Sequence, residues 1–288
     1  MNIQRRFMPG DEWLYYKVYA GTGIQEKLLV NEIYMVAGRL YNSDAIDRFF
    51  FIRYSDQEGP HLRLRFHLTD SSHLSEVIFQ MQATLKTYLA NRIVAKIVID
   101  TYQRELERYG EANIWHIETL FSVNSWAVLN VHRQHFMQEA AYWQAGIKLV
   151  DDLLDDIGLG LEGKYAIYKQ LYDVSWKNQP ANTVTNAALS MKYRQNTPDI
   201  NRRMALPFDY DSTIQWVGRD AQQQALAAIV ANASSGGPSL EKIVSSIIHM
   251  CYNRMFPTSQ NAIEMVIYYM MHKFYKSKAA QELTKTKL

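Results

Sequence analysis

Polar and apolar side chains alternate without a break from His61 to Leu68. Leu62, Leu64, Phe66 and Leu68 fall on one face of an extended chain, and His61, Arg63, Arg65 and His67 on the other. The run before it, Phe49 to Arg53, is apolar on both faces until Arg53, which predicts a strand buried in the centre of its sheet. Ser55 to Pro60 between them is a turn. Upstream, Trp13–Tyr19 is aromatic-rich and bounded by Pro9-Gly10 and Gly21-Thr22-Gly23, which predicts a strand. Ile24 to Met35 carries Leu28, Leu29 and Ile33 at helical spacing. Downstream, Ser75–Leu89 predicts a helix through Val77, Ile78, Met81 and Leu85, and the β-branched Ile93–Ile99 another strand. Strand, helix, two strands, helix, strand is an α+β pattern with a largely antiparallel sheet.

The remainder reads as mostly helical. Arg104 and Arg108 are four apart, so in a helix they share a face, whereas on a solvated turn Glu105 and Glu107 would satisfy them. Ile114 to about Leu154 predicts one long helix, and Tyr165–Tyr172 a shorter one. Residues 178–211 are polar, with Pro180, Pro198 and Pro207 and the basic Lys192, Arg194, Arg202 and Arg203. They predict a long loop, either a lid that accepts a peptide or a plain surface excursion. Ala221–Ala231 is helical, and Ser234–Pro238 breaks the chain. Ser239 then caps a helix whose buried stripe is Ile243, Val244, Ile247, Ile248 and Cys251. The expected architecture is one domain over 1–288, divisible into a sheet-rich 1–110 and a helical 111–288.

Charge and cysteine usage narrow the class. The 31 basic and 29 acidic residues give a formal net charge of +2, so any anion site must be local, and there is no blanket case for nucleic acid or an anionic membrane. The single cysteine, Cys251, allows neither an intrachain disulfide nor a cysteine-based zinc site, and a reducing cytosol is the expected compartment. No apolar stretch approaches the roughly 18 residues of a membrane span, and the N-terminus lacks a signal-peptide core.

Several residues then offer chemistry. His61, Arg63, Arg65 and His67, displayed in a row beside a buried strand, could floor an anion-binding cleft, or could simply form a solvated face. Ser245, His249 and Asn253 are four apart on a face distinct from the buried stripe, with Arg254 beside them, which makes His249 a candidate proton-transfer group or a satisfied structural histidine. His132 and His135 lack a third ligand nearby and are expected to be surface polar residues. The run Asp151-Asp152-Leu153-Leu154-Asp155-Asp156 is expected to be a solvated helix end, frayed or countered by a nearby lysine. Gly21 and Gly23 lack the rest of a dinucleotide fingerprint.

Three of these stretches resemble one family. Phe50-Phe51-Ile52-Arg53-Tyr54-Ser55-Asp56 followed by Gly59-Pro60-His61-Leu62-Arg63-Leu64-Arg65-Phe66 resembles the signature of the thiopeptide-type bacteriocin biosynthesis domain. That domain is the C-terminal elimination part of class I lantibiotic dehydratases and also occurs free-standing. Gln103 to Gly110 is similar to its Tyr-x-x-Glu-x-Glu-Arg-Tyr-Gly-Gly pattern, with Glu111 in place of the second glycine. Ser246 to Met255 resembles its Ser-x-x-His-Met-x-x-Asn-Arg-Leu motif, and Asn124 stands where the family usually has an aspartate.

The resemblance implies a stand-alone lyase. It would eliminate glutamate from glutamylated serines and threonines of a ribosomally made precursor peptide, leaving dehydroalanine or dehydrobutyrine. It implies Arg63, Arg65, Arg104 or Arg108, and His249 as catalytic or glutamate-binding residues. Arg53, His61, Asn253 and Arg254, which sit within the same motifs, are expected to contact substrate. Implied partners are the precursor peptide, with its leader and glutamylated core, and a separate protein that glutamylates from glutamyl-tRNA. The chain itself is expected to bind no nucleic acid, no metal and no organic cofactor. A homodimer is compatible with this reading. Two alternatives stay open: a pyridine-forming cyclase of thiopeptide biosynthesis, and a non-catalytic peptide-binding subunit.

Overall fold

The computed structural model describes residues 3–179, 185–210, 218–234 and 237–285. They form two units: Met1–Met137 with Tyr210–Ile243, and Gln138–Asp209 with Val244–Leu288.

In the first unit, the expected order is realised as β2 (Trp13–Tyr19), a helical segment, β3 (Ile46–Asp56), β4 (Gly59–Leu68), α3 (Leu74–Ala90) and β5 (Lys96–Asp100). The helical segment after β2 runs as α1 (Thr22–Lys27), a π-helical stretch over Leu28–Ile33, and α2 (Tyr34–Asn42). The sheet order is β3-β4-β2-β5, antiparallel throughout, which makes this a ferredoxin-like β-α-β-β-α-β unit. Short strands β1 (Arg6–Phe7) and β6 (Tyr102–Gln103) pair separately. The one-turn α4 (Leu106–Tyr109) follows, then α5 (Ile114–Gln134) and α9 (Arg219–Ala231).

The strand expected at the centre of the sheet is at its edge. β3 lies outermost, yet Phe49, Phe50 and Phe51 are buried because α5 runs along it. The Phe49 and Phe51 N–H groups, which would otherwise face water, donate to the hydroxyls of Ser122 (3.3 Å) and Ser125 (3.2 Å) on α5. An edge strand sealed in this way carries the double-sided apolar pattern of a central one. Trp126, also on α5, is fully buried against Phe49, Tyr34 and Tyr41.

The second unit is helical: α6 (Glu139–Asp156), α7 (Leu161–Asn178), α8 (Asn186–Met204), α10 (Leu240–Met255) from Val244 onward, and α11 (Gln260–Lys285). Its core includes the fully buried Tyr168, Tyr252, Tyr268 and Tyr275. Two expectations change here. The single helix predicted over 114–154 is two, parted where Met137 takes a positive φ of 61°. The polar stretch expected as a loop is largely α8, capped by the Thr185 hydroxyl accepting from the Ala188 N–H at 3.1 Å. Only Leu189 and Ile200 of α8 are buried, too narrow a stripe to read as periodicity, and Pro198 lies inside it. The part of that stretch over 180–184 lies outside the described residues.

The acidic run is not a solvated end. Asp151 and Asp152 are buried; Lys148 bridges them at 3.1 and 2.8 Å, and Lys164 reaches Asp151 and Asp155 at 2.5 and 2.6 Å. Burial alone would raise the Asp151 carboxyl, but Lys164, Tyr275 and Lys148 hold it below its ordinary range. The lysine counter-charge expected from the sequence is therefore present, on the inside. His132 is likewise buried: its Nδ1 lies 2.6 Å from Glu26, which also pairs with Arg53. Among the described residues, no helix is long and apolar enough to cross a membrane.

Candidate functional site

Antiparallel register fixes what shares the polar face of β4. Opposite His61, Arg63, Arg65 and His67 stand Tyr19, Lys17, Tyr15 and Trp13 of β2, and Tyr54, Ile52, Phe50 and Arg48 of β3. Directly opposed residues point to the same face, so this surface is a lattice of cations and aromatic rings.

Most of its cations already have carboxylates. Lys17 pairs with Asp100 at 2.5 Å, and Lys96 with Glu58 at 2.7 Å. Arg48 pairs with Asp47 at 3.0 Å and stacks on Trp115 at 3.3 Å, while His67 Nδ1 meets Asp47 at 2.5 Å. Arg65 and Arg63 form no ion pair with any described residue.

Arg65 is 6% exposed, and its Nε and Nη1 are buried without a hydrogen-bond partner. Its guanidinium sits among three rings: Tyr15 at 4.6 Å, Tyr102 at 4.8 Å and Phe50 at 5.1 Å. Burial lowers its pKa from the ordinary value. Aromatic faces offset part of the desolvation, yet an isolated buried cation remains costly. Such a charge, left without a counter-ion, is suited to receive an anion from outside the chain.

Arg63 lies 3.5 Å above the Tyr54 ring, and its Nε donates to His61 Nε2 at 3.3 Å. His61 is fully buried, packs on Tyr19 at 4.4 Å, and its Nδ1 faces the Gly59 carbonyl at 3.2 Å. Burial pushes the His61 imidazole below its ordinary pKa.

The other candidates occupy other positions. Arg104 precedes α4 rather than sharing a helical face with Arg108. It is buried, bonds Glu118 through both Nε (2.7 Å) and Nη2 (2.6 Å), and donates to the Gln4 carbonyl (3.1 Å). Glu118 also accepts from the Tyr102 hydroxyl at 2.9 Å, so Arg104 stands behind one wall of the Arg65 cage. Arg108 is exposed and paired with Glu105 at 2.9 Å. Arg53 lies on the opposite face of the sheet, bound to the buried Glu26. Burial works against the Glu26 carboxylate, but Arg53 and His132 hold its pKa below the ordinary value. Gly110 takes a φ of +81°, and a Cβ there would stand 3.2 Å from Pro238, so the turn needs this glycine and not a second one at Glu111.

In the second unit, His249 projects from α10 with its side chain 42% exposed and Nδ1 3.0 Å from Glu264 Oε2. Glu264 is buried on α11 and accepts from the Tyr268 hydroxyl at 3.0 Å and from Gln260 at 2.5 Å. Asn253 donates to Gln260 Oε1 at 2.9 Å, so it belongs to the same network. Arg254 is fully buried and donates to the Met250 carbonyl at 2.9 Å. A carboxylate accepting at Nδ1 holds the ring proton on that nitrogen and so fixes the tautomer.

Sequence reasoning missed Glu264 and the cage rings. Gln260, Glu264 and Tyr268 repeat every four residues along α11, a polar stripe that could have been found; Tyr15 and Tyr102 depend on register and on a distant turn. Asp151, Asp152 and Asp155 offer oxygens within 4.8 Å of one another, but Lys148 and Lys164 already neutralise them. A separate cleft of about 450 Å³ in this unit is lined by Trp143, Lys192, Asn196, Ile263, Val266 and Met270.

The chain is 32% identical over 158 residues to the subtilin biosynthesis protein SpaB of Bacillus subtilis, covering 54% of this chain and 15% of that protein. It is 30% identical over 133 residues to the nisin biosynthesis protein NisB of Lactococcus lactis subsp. lactis, covering 46% and 13%. The chain thus aligns with only about a seventh of the length of either relative. Its fold superposes on the tRNA-dependent lantibiotic dehydratase MibB of Microbispora sp. 107891 with a TM-score of 0.68 at 19% identity, over 96% of this chain and 29% of that one. The pyridine synthase TbtD from thiomuracin biosynthesis gives 0.66 at 12% identity, over 93% and 98%. The family described as lantibiotic biosynthesis dehydratase C-term matches residues 13–275, and the chain belongs to that family.

Proposed function

We propose that this protein eliminates glutamate from glutamylated serine or threonine residues of a ribosomally made precursor peptide. The observation that carries the reading is Arg65, a buried guanidinium without a carboxylate among the described residues, inside an aromatic cage and two positions along the strand from Arg63.

In the reaction, a base removes the proton from Cα of the esterified residue, and the electron pair forms the Cα=Cβ bond as the Cβ–O bond breaks. The glutamate leaves as a carboxylate. Arg65 and Arg63 supply fixed positive donors for that carboxylate or for the charge developing on the neighbouring carbonyl. Arg104 keeps Tyr102 in place through Glu118. His249, oriented by Glu264, takes or returns the proton. The glutamyl group would be installed beforehand by a glutamylating activity that draws on glutamyl-tRNA.

The likeness to TbtD along 98% of its length favours a second reading, a pyridine-forming cyclase. One experiment separates them. A synthetic peptide bearing a single glutamyl-serine ester is incubated with the pure protein and weighed by mass spectrometry. Loss of one whole glutamic acid, abolished by Arg65→Ala and His249→Ala, supports elimination. An unchanged ester, with a bis-dehydroalanine peptide instead losing its leader, supports cyclisation.

A further inference from the structure

The β5 strand is the open edge of the sheet: it pairs with β2 on one side, and no described residue bonds its backbone on the other. Its sequence is Lys96-Ile97-Val98-Ile99-Asp100. Edge strands of soluble proteins are usually blunted by charge, proline or a bulge, because an open ladder pairs with other chains. Here the charges sit only at the two ends, and they are opposite in sign.

We propose that this edge is a self-association surface whose partner is a second copy of the same chain, joined antiparallel about a two-fold axis at Val98. The strand is complementary to itself in that register. Lys96 falls opposite Asp100 of the second copy, Ile97 opposite Ile99, and Val98 opposite Val98. Ile97 and Ile99 share one face, so pairing gathers four isoleucines, two of them the 36%-exposed Ile99. Lys96, Val98 and Asp100 share the other face. Lys96 and Asp100 have intramolecular partners in Glu58 and Lys17, but their side chains stay 50% and 39% exposed and can reach a further charge. An extended peptide could pair with the same edge; the matched charges and the palindromic order of apolar residues favour the second copy.

The test uses the whole chain in a Cys251→Ala background, since Cys251 is its only cysteine. Sedimentation at about 50 µM should show a dimer. Under mild oxidation, Val98→Cys should cross-link to itself. Ile97→Cys should not, but should link to Ile99→Cys when the two are mixed, because opposed residues are about 4.5–5.5 Å apart at Cα. Lys96→Asp and Asp100→Lys should each weaken association at least tenfold, and the double variant should restore it; circular dichroism checks that each folds. A wild type that stays monomeric, a dimer indifferent to the charge reversals, or an edge protected by precursor peptide alone overturns the proposal.

Discussion

Arg63 donates its Nε–H to Nε2 of His61, which fixes the tautomer of a buried imidazole: with Nε2 accepting, the ring proton lies on Nδ1, facing the Gly59 carbonyl. Burial depresses the pKa of His61, against the opposing pull of Gly59 and Asp56 and with the help of Arg63 and Lys17. As pH falls, the unfolded chain therefore takes this proton before the folded one. The contribution to stability is complete above about pH 6.5 and is lost as pH falls through the folded value.

His61 thus positions Arg63. His61→Gln, which keeps an acceptor near Nε2, should retain most activity, while His61→Leu should raise KM for the glutamyl peptide roughly tenfold, the worth of one charge-assisted bond. As pH falls below the ordinary imidazole range the wild-type KM should climb and that of His61→Gln should not. Parallel KM profiles for the two proteins would remove His61 from this role.

Arg65→Met should separate stability from function. Removing a desolvated cation that has no carboxylate should leave the midpoint of thermal unfolding unchanged or raised, while turnover drops about 10²–10³-fold with the loss of a preorganised donor. A variant that melts many degrees lower would mean that the cage needs its cation to fold.

Glu264→Gln should lower kcat about a hundredfold or more with KM nearly constant, since an amide no longer enforces the tautomer that proton transfer requires. The steady-state kinetics of the glutamyl peptide decide this.

Breaking the pair behind the cage should cost stability first. Glu118→Gln leaves Arg104 buried opposite a neutral group, which should destabilise the first unit by about 3–5 kcal/mol in denaturant unfolding. Tyr102 should loosen with it, so activity should fall even under conditions where the protein remains folded.

A second histidine sets an acid limit. His272 is buried with Nδ1 unbonded, stacked on Tyr172 at 5.4 Å, and burial together with Lys273 pushes its pKa down to about 4. Asp173 pulls the other way, and Lys169 and Lys276 add to the depression. The second unit should lose roughly 2 kcal/mol between pH 6.5 and 4, allowing for some solvent screening, and His272→Phe should flatten that slope in melts taken across the range.

What the sequence made legible follows from which patterns are local. The alternation from His61 to Leu68 needs only two-residue periodicity, so the strand, its partner and the α+β order could be read directly. The edge position of β3 could not, because double-sided burial looks the same whether a strand or a helix lies alongside; only Ser122 and Ser125 distinguish the two. Arg65 stood out as a cation, but its lack of a carboxylate partner is a statement about every neighbouring strand. Arg104 and Arg53 looked equivalent to it in the chain and differ through Glu118 and Glu26, acids distant in sequence. His249 stood out by its spacing, and its partner Glu264 lies on a polar stripe with Gln260 and Tyr268 that the reading of α11 passed over.

The two serines of α5 have a consequence for assembly. By occupying the N–H groups of Phe49 and Phe51 they cap one growing end of the four-stranded sheet, so that among the described residues β5 is the end of that sheet left to add a strand. In the language of polymer chemistry the molecule is monofunctional: a copy that joins through β5 presents its capped end outward and terminates growth. The sheet can double, but it cannot propagate into a fibre.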